Sequence, residues 1–187
     1  MLDLFAGCGG LSLGFEAQGF AVTGFEMDAK AVQTYNHNLL GPCFTEKLTT
    51  ETVFDEYYDV VIGGPPCQPF SVGGHQKGLD DERNGFPSFL RAIAPVKPKI
   101  WMFENVRGML YSNKWYLDEL IAQLRDMGYF VEYRLLNAVK YGVPQNRERL
   151  FVVGHQGRFS FPRPDNQVFN VGDAIGDLIE QTKVAKI

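Results

Sequence analysis

The hydrophobic and polar positions of the chain alternate between the period of a strand and the period of a helix. Short apolar runs rich in β-forming residues are predicted as strands, at residues 2–5, 21–25, 60–62 and 100–103. Longer amphipathic stretches are predicted as helices, at residues 11–18, 29–38 and 116–127. Because strands separated by helices form βαβ units, the pattern predicts a doubly wound, mostly parallel α/β sheet.

The second half of the chain departs from this alternation. Residues 130–137 and 150–154 are predicted to pair as strands across a loop at residues 142–144, and a short helix is predicted at residues 173–179. Residues 71–85 are polar, include four glycines and lack periodicity. Such a segment predicts a mobile loop beside an active site.

Composition narrows the class of protein. With 187 residues, 45% of them hydrophobic and 13% aromatic, the chain is predicted to fold as one globular domain rather than to be disordered. It contains no apolar run long enough to span a membrane, and we expect its first residues to form a strand rather than a secretory leader. The 18 Lys and Arg against 22 Asp and Glu give no overall basic signal for nucleic acid, although a local basic patch remains compatible with it.

The three cysteines, Cys8, Cys43 and Cys67, fit neither a zinc pattern nor a disulfide framework. We therefore expect no metal site, and a cytoplasmic chain with reduced thiols.

A glycine-rich turn follows the first predicted strand, in the sequence DLFAGCGG at residues 3–10. A strand, a glycine turn and a helix allow a ligand to approach the backbone closely. Glu26 ends the second predicted strand, where a carboxylate can accept hydrogen bonds from ribose hydroxyls. Gly7, Gly9 and Gly10 lack the third glycine of the dinucleotide fingerprint, so the pattern favours another nucleoside-containing cofactor. The alternative is a plain tight turn and an exposed glutamate.

A second motif, GGPPCQPFS at residues 63–71, follows the predicted strand at residues 60–62. Prolines on both sides of Cys67 fix the backbone at the carboxyl end of a parallel strand, where open α/β sheets bind ligands. A rigid, partly exposed cysteine there suits a nucleophile, although a lone cysteine can equally be structural. Cys8 and Cys43 lack this setting and are predicted as packing residues.

Two further polar groups lie at the ends of predicted strands. Glu104 comes directly after the apolar residues 100–103, where it can donate a hydrogen bond, act as a general acid, or simply cap a helix. The sequence QNRER at residues 145–149 is predicted to open the last strand, with residues 145, 147 and 149 on one face. That face can bind a base or phosphates, or the charges can simply be solvated.

In this order the four motifs resemble those of the DNA (cytosine-5)-methyltransferase family. The resemblance implies a Rossmann-like, S-adenosylmethionine-dependent catalytic domain over residues 1–155, and a connection toward a target recognition region over residues 156–187. It implies S-adenosylmethionine as cofactor and these cofactor-binding residues: Phe5, Ala6, Gly7, Cys8, Gly9, Gly10, Leu11, Glu26, Met27 and Pro65.

The same resemblance implies that a cytosine is flipped out of double-stranded DNA and methylated on carbon 5. Cys67 attacks carbon 6, Glu104 binds ring nitrogen 3 and the exocyclic amine, Arg149 lies near the carbonyl oxygen, and Arg147 supports the site. The implied substrate-binding residues are Gln68, Ser71, Arg83, Asn105 and Gln145.

Several alternatives stay open. The family's Asp that meets the cofactor's adenine amine is replaced here: Glu46 can substitute for it, whereas Lys47 at that position would not accept from the amine. The sequence stops before a target recognition region, so we expect half of a split enzyme with a second chain, a fragment, or a decayed remnant. A restriction–modification role follows from the resemblance, while a tRNA cytosine-5 methyltransferase and a non-catalytic scaffold are the competing functions. A nicotinamide oxidoreductase is disfavoured by the missing glycine.

Overall fold

The computed structural model describes residues 1–66, 84–165 and 169–184. Seven strands form one sheet: β1 (Leu2–Leu4), β2 (Thr23–Glu26), β3 (Cys43–Thr45), β4 (Val60–Gly63), β5 (Ile100–Val106), β6 (Phe130–Asn137) and β7 (Glu148–His155). The described residues also contain five α-helices: α1 (Gly10–Glu16), α2 (Ala29–Asn38), α3 (Phe86–Val96), α4 (Lys114–Asp126) and α5 (Val171–Val184). Short 3-10 helices follow β5 at Arg107–Leu110 and β6 at Ala138–Tyr141.

The strand order across the sheet is β3-β2-β1-β4-β5-β7-β6. Every neighbouring pair from β3 to β5 is parallel, whereas β7 is antiparallel to both β5 and β6. The prediction of a doubly wound, mostly parallel sheet is therefore confirmed. The chain extends from β1 in one direction to β3 and then returns to the other side at β4, so the carboxyl ends of β1 and β4 flank the crevice where such sheets bind ligands.

The hydrophobic core packs against the middle of the sheet. Trp101 and Phe103 of β5 stack with ring centroids 6.1 Å apart, and Phe86 and Phe89 of α3 meet Phe103 edge to face. All four side chains are buried. Aromatic pairs in these geometries stabilise a core beyond the area that they bury, so the central strands are held firmly and their ends form a fixed rim.

Two elements lie outside the predicted pattern, β3 and α3. Helix α3 contains Pro87 in its first turn, where the missing N–H is tolerated, and Pro95 near its end. The short helix predicted at residues 173–179 is part of the longer α5, which has a non-helical residue at Ile175. The division of the chain at residue 155 stays a prediction. In the parts of the chain that the structure describes, no helix is long and apolar enough to cross a membrane.

Candidate active site

The glycine-rich turn between β1 and α1 is a series of left-handed backbone conformations. Phe5 has φ 62°, Gly7 has φ 56° and Gly9 has φ 86°. The Gly9 N–H donates to the Ala6 carbonyl at 3.0 Å, which closes the turn. A Cβ on Gly9 would lie 2.7 Å from Cδ2 of Tyr35, whereas a Cβ on Gly7 would meet nothing within 4 Å. Gly9 is thus required by packing, and Gly7 borders open space.

Glu26 connects this turn to the next one. Its Oε2 accepts from the Gly7 N–H at 3.0 Å, and its Oε1 accepts from the Asp28 N–H at 2.9 Å. The carboxylate is therefore fixed at the carboxyl end of β2, beside the glycine turn, and it is not the loosely exposed glutamate of the alternative interpretation. Each oxygen keeps a lone pair that can accept from a hydroxyl group. Met27 follows it on the surface, with its side chain exposed.

Three glycines leave the backbone beside this turn open to a ligand. Gly7, Gly10 and Gly64 present no side chain, and a Cβ added to any of them would meet nothing within 4 Å. The Gly64 N–H donates to the Leu4 carbonyl at 3.3 Å, which brings the end of β4 against the end of β1. The predicted cofactor residues follow or end the neighbouring strands β1, β2 and β4: Phe5, Ala6, Gly7, Cys8, Gly9, Gly10, Leu11, Glu26, Met27 and Pro65.

A buried carboxyl that no sequence motif indicated lies beneath the turn. Asp3 of β1 is 1% exposed, and Ser12 Oγ in α1 donates to its Oδ2 at 2.5 Å. Burial raises the pKa of Asp3 to about 7, against the opposing effect of the Ser12 hydrogen bond. The pair links the strand before the turn to the helix after it. Its signal in the sequence is a single aspartate inside an otherwise apolar strand.

The segment that leads to Cys67 is held from two sides. Asn105 Nδ2 of β5 donates to the Pro65 carbonyl at 3.0 Å, and the Gly85 N–H donates to the Pro66 carbonyl at 3.0 Å. Asn105 is buried and its Oδ1 accepts from the Val106 N–H, so in the structure its amide holds this backbone in place. Its predicted substrate-binding role stays a prediction.

Four predicted site residues, Cys67, Gln68, Ser71 and Arg83, lie outside the described residues. The predicted loop at residues 71–85 lies there too, except for its last two residues.

Glu104 and Arg149 form an ion pair at the same rim. Arg149 Nε lies 2.8 Å from Glu104 Oε1, and the two side chains are 24% and 26% exposed. Burial raises the pKa of the Glu104 carboxyl above its usual value, although the positive charges of Arg149 and Arg147 act in the opposite direction. Glu104 lies inside β5, which continues to Val106, so the helix-cap interpretation is excluded.

The prediction that residues 145, 147 and 149 share one strand face is wrong, because β7 begins at Glu148. The preceding residues fold back toward the end of β6: the Arg147 N–H donates to Asn137 Oδ1 at 3.3 Å, and its carbonyl accepts from the Ala138 N–H at 3.0 Å. The structure nevertheless brings Gln145, Arg147 and Arg149 together, since all three line one hollow of about 370 Å³ beside the end of β5.

No cluster of three His, Cys, Asp or Glu side chains that could hold a metal ion occurs within residues 1–66, 84–165 and 169–184. Of the cysteines in these ranges, Cys43 is buried, as expected of a packing residue. Cys8 is exposed in the glycine turn, so its prediction as a packing residue is wrong. The functional groups that the described residues place at the rim are therefore mainly carboxylates, guanidinium groups and backbone amides.

Comparison with known proteins agrees with this geometry. The family model for C-5 cytosine-specific DNA methylases matches residues 1–186. The Type II methyltransferase M.AplI of Arthrospira platensis is 53% identical over 179 residues, which are 95% of this chain and 52% of M.AplI. A protein described as a DNA modification methyltransferase encoded within an E. coli prophage superposes with a TM-score of 0.76 and 28% identity, over 93% of this chain and 53% of that chain.

A variant of Spodoptera frugiperda DNMT2 shares the fold, with a TM-score of 0.68 and 23% identity over 90% of this chain and 54% of that chain. The expected Rossmann-like methyltransferase fold is thus confirmed. The chain spans about half the length of the curated relatives that it matches. Because the family model covers almost every residue, the chain belongs to the family of C-5 cytosine-specific DNA methylases.

Proposed function

We propose that this chain transfers a methyl group from S-adenosylmethionine to carbon 5 of a cytosine flipped out of double-stranded DNA, in a restriction–modification system. The observation that carries the proposal is the meeting of two strand ends. The Asn105–Pro65 hydrogen bond joins the end of β5, which carries Glu104, to the segment that precedes Cys67. The reaction needs a carboxyl group and a thiol; Glu104 supplies the carboxyl, and the residues that directly precede Cys67 in the sequence end at the same rim.

The cofactor site of the proposal is the crevice of Gly7, Gly10 and Gly64. Glu26, already oriented by two backbone N–H groups, accepts hydrogen bonds from the ribose hydroxyls. Met27 is exposed beside it and would pack against the adenine. When bound there, S-adenosylmethionine supplies a methyl group on a sulfonium, which is an electrophile.

Cys67 is the nucleophile of the proposal. Its thiolate forms a bond to carbon 6, and the electron pair of the 5,6 double bond makes carbon 5 nucleophilic. Glu104 donates a proton to ring nitrogen 3 and so stabilises the charge that develops there. Carbon 5 then takes the methyl group, and the electron pair of the broken methyl–sulfur bond stays on the departing sulfur as a thioether. Carbon 5 passes its proton to water, the 5,6 double bond forms again, the bond from carbon 6 to Cys67 breaks to release the thiolate, and Glu104 regains the proton from ring nitrogen 3.

The raised pKa of Glu104 supports this role, because a carboxyl that keeps its proton more readily can donate a hydrogen bond to the base. Arg149 orients that carboxyl through its Nε. Its Nη1 donates to the Glu148 carbonyl at 2.8 Å, which leaves Nη2 to donate to the cytosine carbonyl oxygen, and Arg147 supports the same region. Gln68, Ser71, Arg83 and Gln145 stay predicted substrate ligands.

We assign target recognition to sequence beyond these 187 residues, in the same polypeptide or in a second chain, because the relatives are about twice as long. The restriction–modification role implies a cytoplasmic protein, where genomic DNA is accessible.

The proposed function is tested by transfer of a labelled methyl group from S-adenosylmethionine to unmethylated genomic DNA and, in parallel, to total RNA. We expect label on cytosine in DNA, none after Cys67→Ser, and undiminished label after Cys43→Ser. Cys43 is a matched control because it is a buried thiol in the edge strand β3, three strands away from β4. Melting curves confirm that both variants fold.

Label in RNA alone would replace the proposal with the RNA-modifying alternative. Label that survives Cys67→Ser would reject the nucleophile. A folded chain that labels neither nucleic acid would contradict methyl transfer by these residues alone.

A further inference from the structure

The hollow at the ends of β5 and β7 contains two charged residues that the proposed reaction does not use, Arg107 and Glu148. Its lining also includes Val106, Asn146 and the predicted site residues Gln145, Arg147 and Arg149. Three arginines face one glutamate there, so the hollow carries a net positive charge in a chain whose formal net charge is −4. A local concentration of guanidinium groups of this kind is the usual site of phosphate contacts.

Arg107 and Glu148 form an ion pair across the hollow. Arg107 Nη1 lies 2.8 Å from Glu148 Oε2, and the side chains are 66% and 34% exposed. An ion pair this open to water contributes little to stability. Since a guanidinium group has five N–H donors and this pair uses one nitrogen, the mostly exposed Arg107 side chain keeps donors for a ligand.

The Arg107–Glu148 pair lies close to Glu104, where the proposed reaction places the cytosine base. Arg107 follows Val106 directly, and Val106 pairs with Arg149, which contacts Glu104. A nucleotide whose base reaches Glu104 therefore has its sugar and phosphate near the outer end of β5. Phosphate contacts of this kind fix the register of the nucleic acid without reading its sequence.

We propose that this hollow is a phosphate subsite for the DNA backbone next to the flipped cytosine, with Arg107 as the phosphate ligand and Glu148 as the internal group that orients it in the free protein. The inference rests on the proposed function, since it takes DNA as the substrate. Arg107 forms charge-assisted hydrogen bonds to the phosphate oxygens, while the carboxylate of Glu148 repels the phosphate.

The two halves of the ion pair therefore have opposite effects on DNA affinity. Binding of a fluorescein-labelled duplex of mixed sequence is measured by anisotropy over a series of salt concentrations, using the 187-residue chain and its variants. We expect Arg107→Gln to weaken binding about tenfold at low salt and to reduce the slope of log K against log salt by about 1. We expect Glu148→Gln to strengthen binding a few-fold, because glutamine keeps an oxygen that accepts from Arg107 but lacks the negative charge.

The chain supplies a matched control pair. Lys99 Nζ lies 2.7 Å from Asp59 Oδ1, with side chains 70% and 59% exposed, and these residues directly precede β5 and β4. They thus form a similar surface ion pair at the opposite edge of the sheet. Lys99→Gln and Asp59→Asn should leave both the affinity and the salt slope unchanged.

A merely structural bridge would respond differently. If Arg107 and Glu148 only join β5 to β7, both variants lower the melting temperature and change DNA affinity in the same direction, which would overturn the proposal. Equal salt slopes for all variants, or no binding by the unmodified chain at low salt, would overturn it as well. A larger effect on an RNA duplex than on DNA would assign the subsite to RNA and reject the commitment to DNA.

Failure of the subsite and failure of the proposed function are distinguishable. Methyl transfer to DNA together with unchanged salt slopes would reject the phosphate subsite and support the proposed function. Opposite affinity changes of the two variants without methyl transfer would support the phosphate subsite and reject the proposed function.

Discussion

Glu104 is the residue on which the proposed chemistry depends most among those that the structure describes. Two effects act against each other at its carboxyl: burial raises its pKa, and the nearby positive charges of Arg149 and Arg147 lower it. The effect of burial is the larger one, so the pKa of Glu104 lies above the ordinary value of a glutamate. This balance suits a group that must share a proton with a base and yet stay oriented by an arginine.

We predict that Glu104→Gln slows methyl transfer about 100-fold or more, since glutamine keeps the shape but cannot give up a proton. Single-turnover rates at saturating DNA and cofactor measure this. Glu132→Gln is the control, because Glu132 is a strand carboxylate in β6 that contacts His155. An unchanged rate in the Glu104 variant would leave this carboxyl as a structural partner of Arg149.

Asp3 makes stability depend on pH. Its pKa is about 7 in the folded chain and about 3.9 when unfolded, so between these values the folded state holds a proton that the unfolded state has lost. This part of the stability is therefore present at low pH and is lost as the pH rises toward 7. We predict that, relative to Asp3→Asn, the wild type loses on the order of a few kcal/mol of unfolding free energy between pH 5 and pH 8. Urea unfolding at several pH values measures the difference, and parallel curves for the two proteins would refute it.

For single residues, the sequence predicted which side chains lie at the rim of the sheet but not which hydrogen bonds they make. Glu26 and Glu104 each end an apolar run, so their place at the rim followed from the strand pattern. The Asp3–Ser12 bond did not, because a single polar residue in a strand does not indicate what lies beneath it.

In the turn between β1 and α1, one glycine is needed for packing of the core and another borders the proposed cofactor site. Gly9→Ala would bring a Cβ within 2.7 Å of Tyr35 and 2.9 Å of Leu39 at a φ of +86°, whereas Gly7→Ala, at +56°, meets only open space. A left-handed alanine costs roughly 1–2 kcal/mol in either place, and Gly9→Ala adds the cost of displacing two core side chains.

We predict that Gly9→Ala loses clearly more unfolding free energy than Gly7→Ala, while Gly7→Ala weakens S-adenosylmethionine binding at least about tenfold because its methyl group enters the cofactor crevice. Gly14→Ala in α1 is the control: a Cβ there also meets nothing, and the helix should keep or slightly gain stability. Calorimetric titration and urea unfolding give the two quantities. Normal cofactor affinity in Gly7→Ala would exclude the turn as the binding site.

The element boundaries that the pattern missed have physical causes. Helix α3 was not predicted because its two prolines argue against a helix. It nevertheless has one buried face with helical spacing, formed by Phe86, Phe89, Ala92, Ile93 and Val96. Strand β3 has three residues, too few to show a period. Strand β7 begins at Glu148 rather than at the predicted residue 145. The Arg147 N–H donates to the Asn137 side chain, and this contact between separate segments cannot be predicted from the local sequence.

For the molecule as a whole, the direction of β7 decides how the site is built. The carboxyl ends of β1, β2, β4 and β5 meet at one edge because these strands are parallel. Since β7 is antiparallel, its first residues reach that same edge, and Arg149 lies opposite Val106 at the end of β5. A parallel β7 would have placed its first residues at the far edge. The pattern of apolar runs predicted the sheet but not this reversal, because strand direction follows from the connections between strands.

The proposed reaction requires that Cys67 form a covalent bond to carbon 6 of a cytosine ring. It is tested most directly with DNA in which 5-fluorocytosine replaces cytosine, incubated with the chain and S-adenosylmethionine. Fluorine takes the place of the proton that must leave carbon 5, so the bond to carbon 6 cannot break again. We predict a protein–DNA adduct that survives denaturation, maps by mass spectrometry to Cys67, forms equally with Cys43→Ser and is absent with Cys67→Ser. The lack of any adduct, or an adduct on another residue, would contradict the claim.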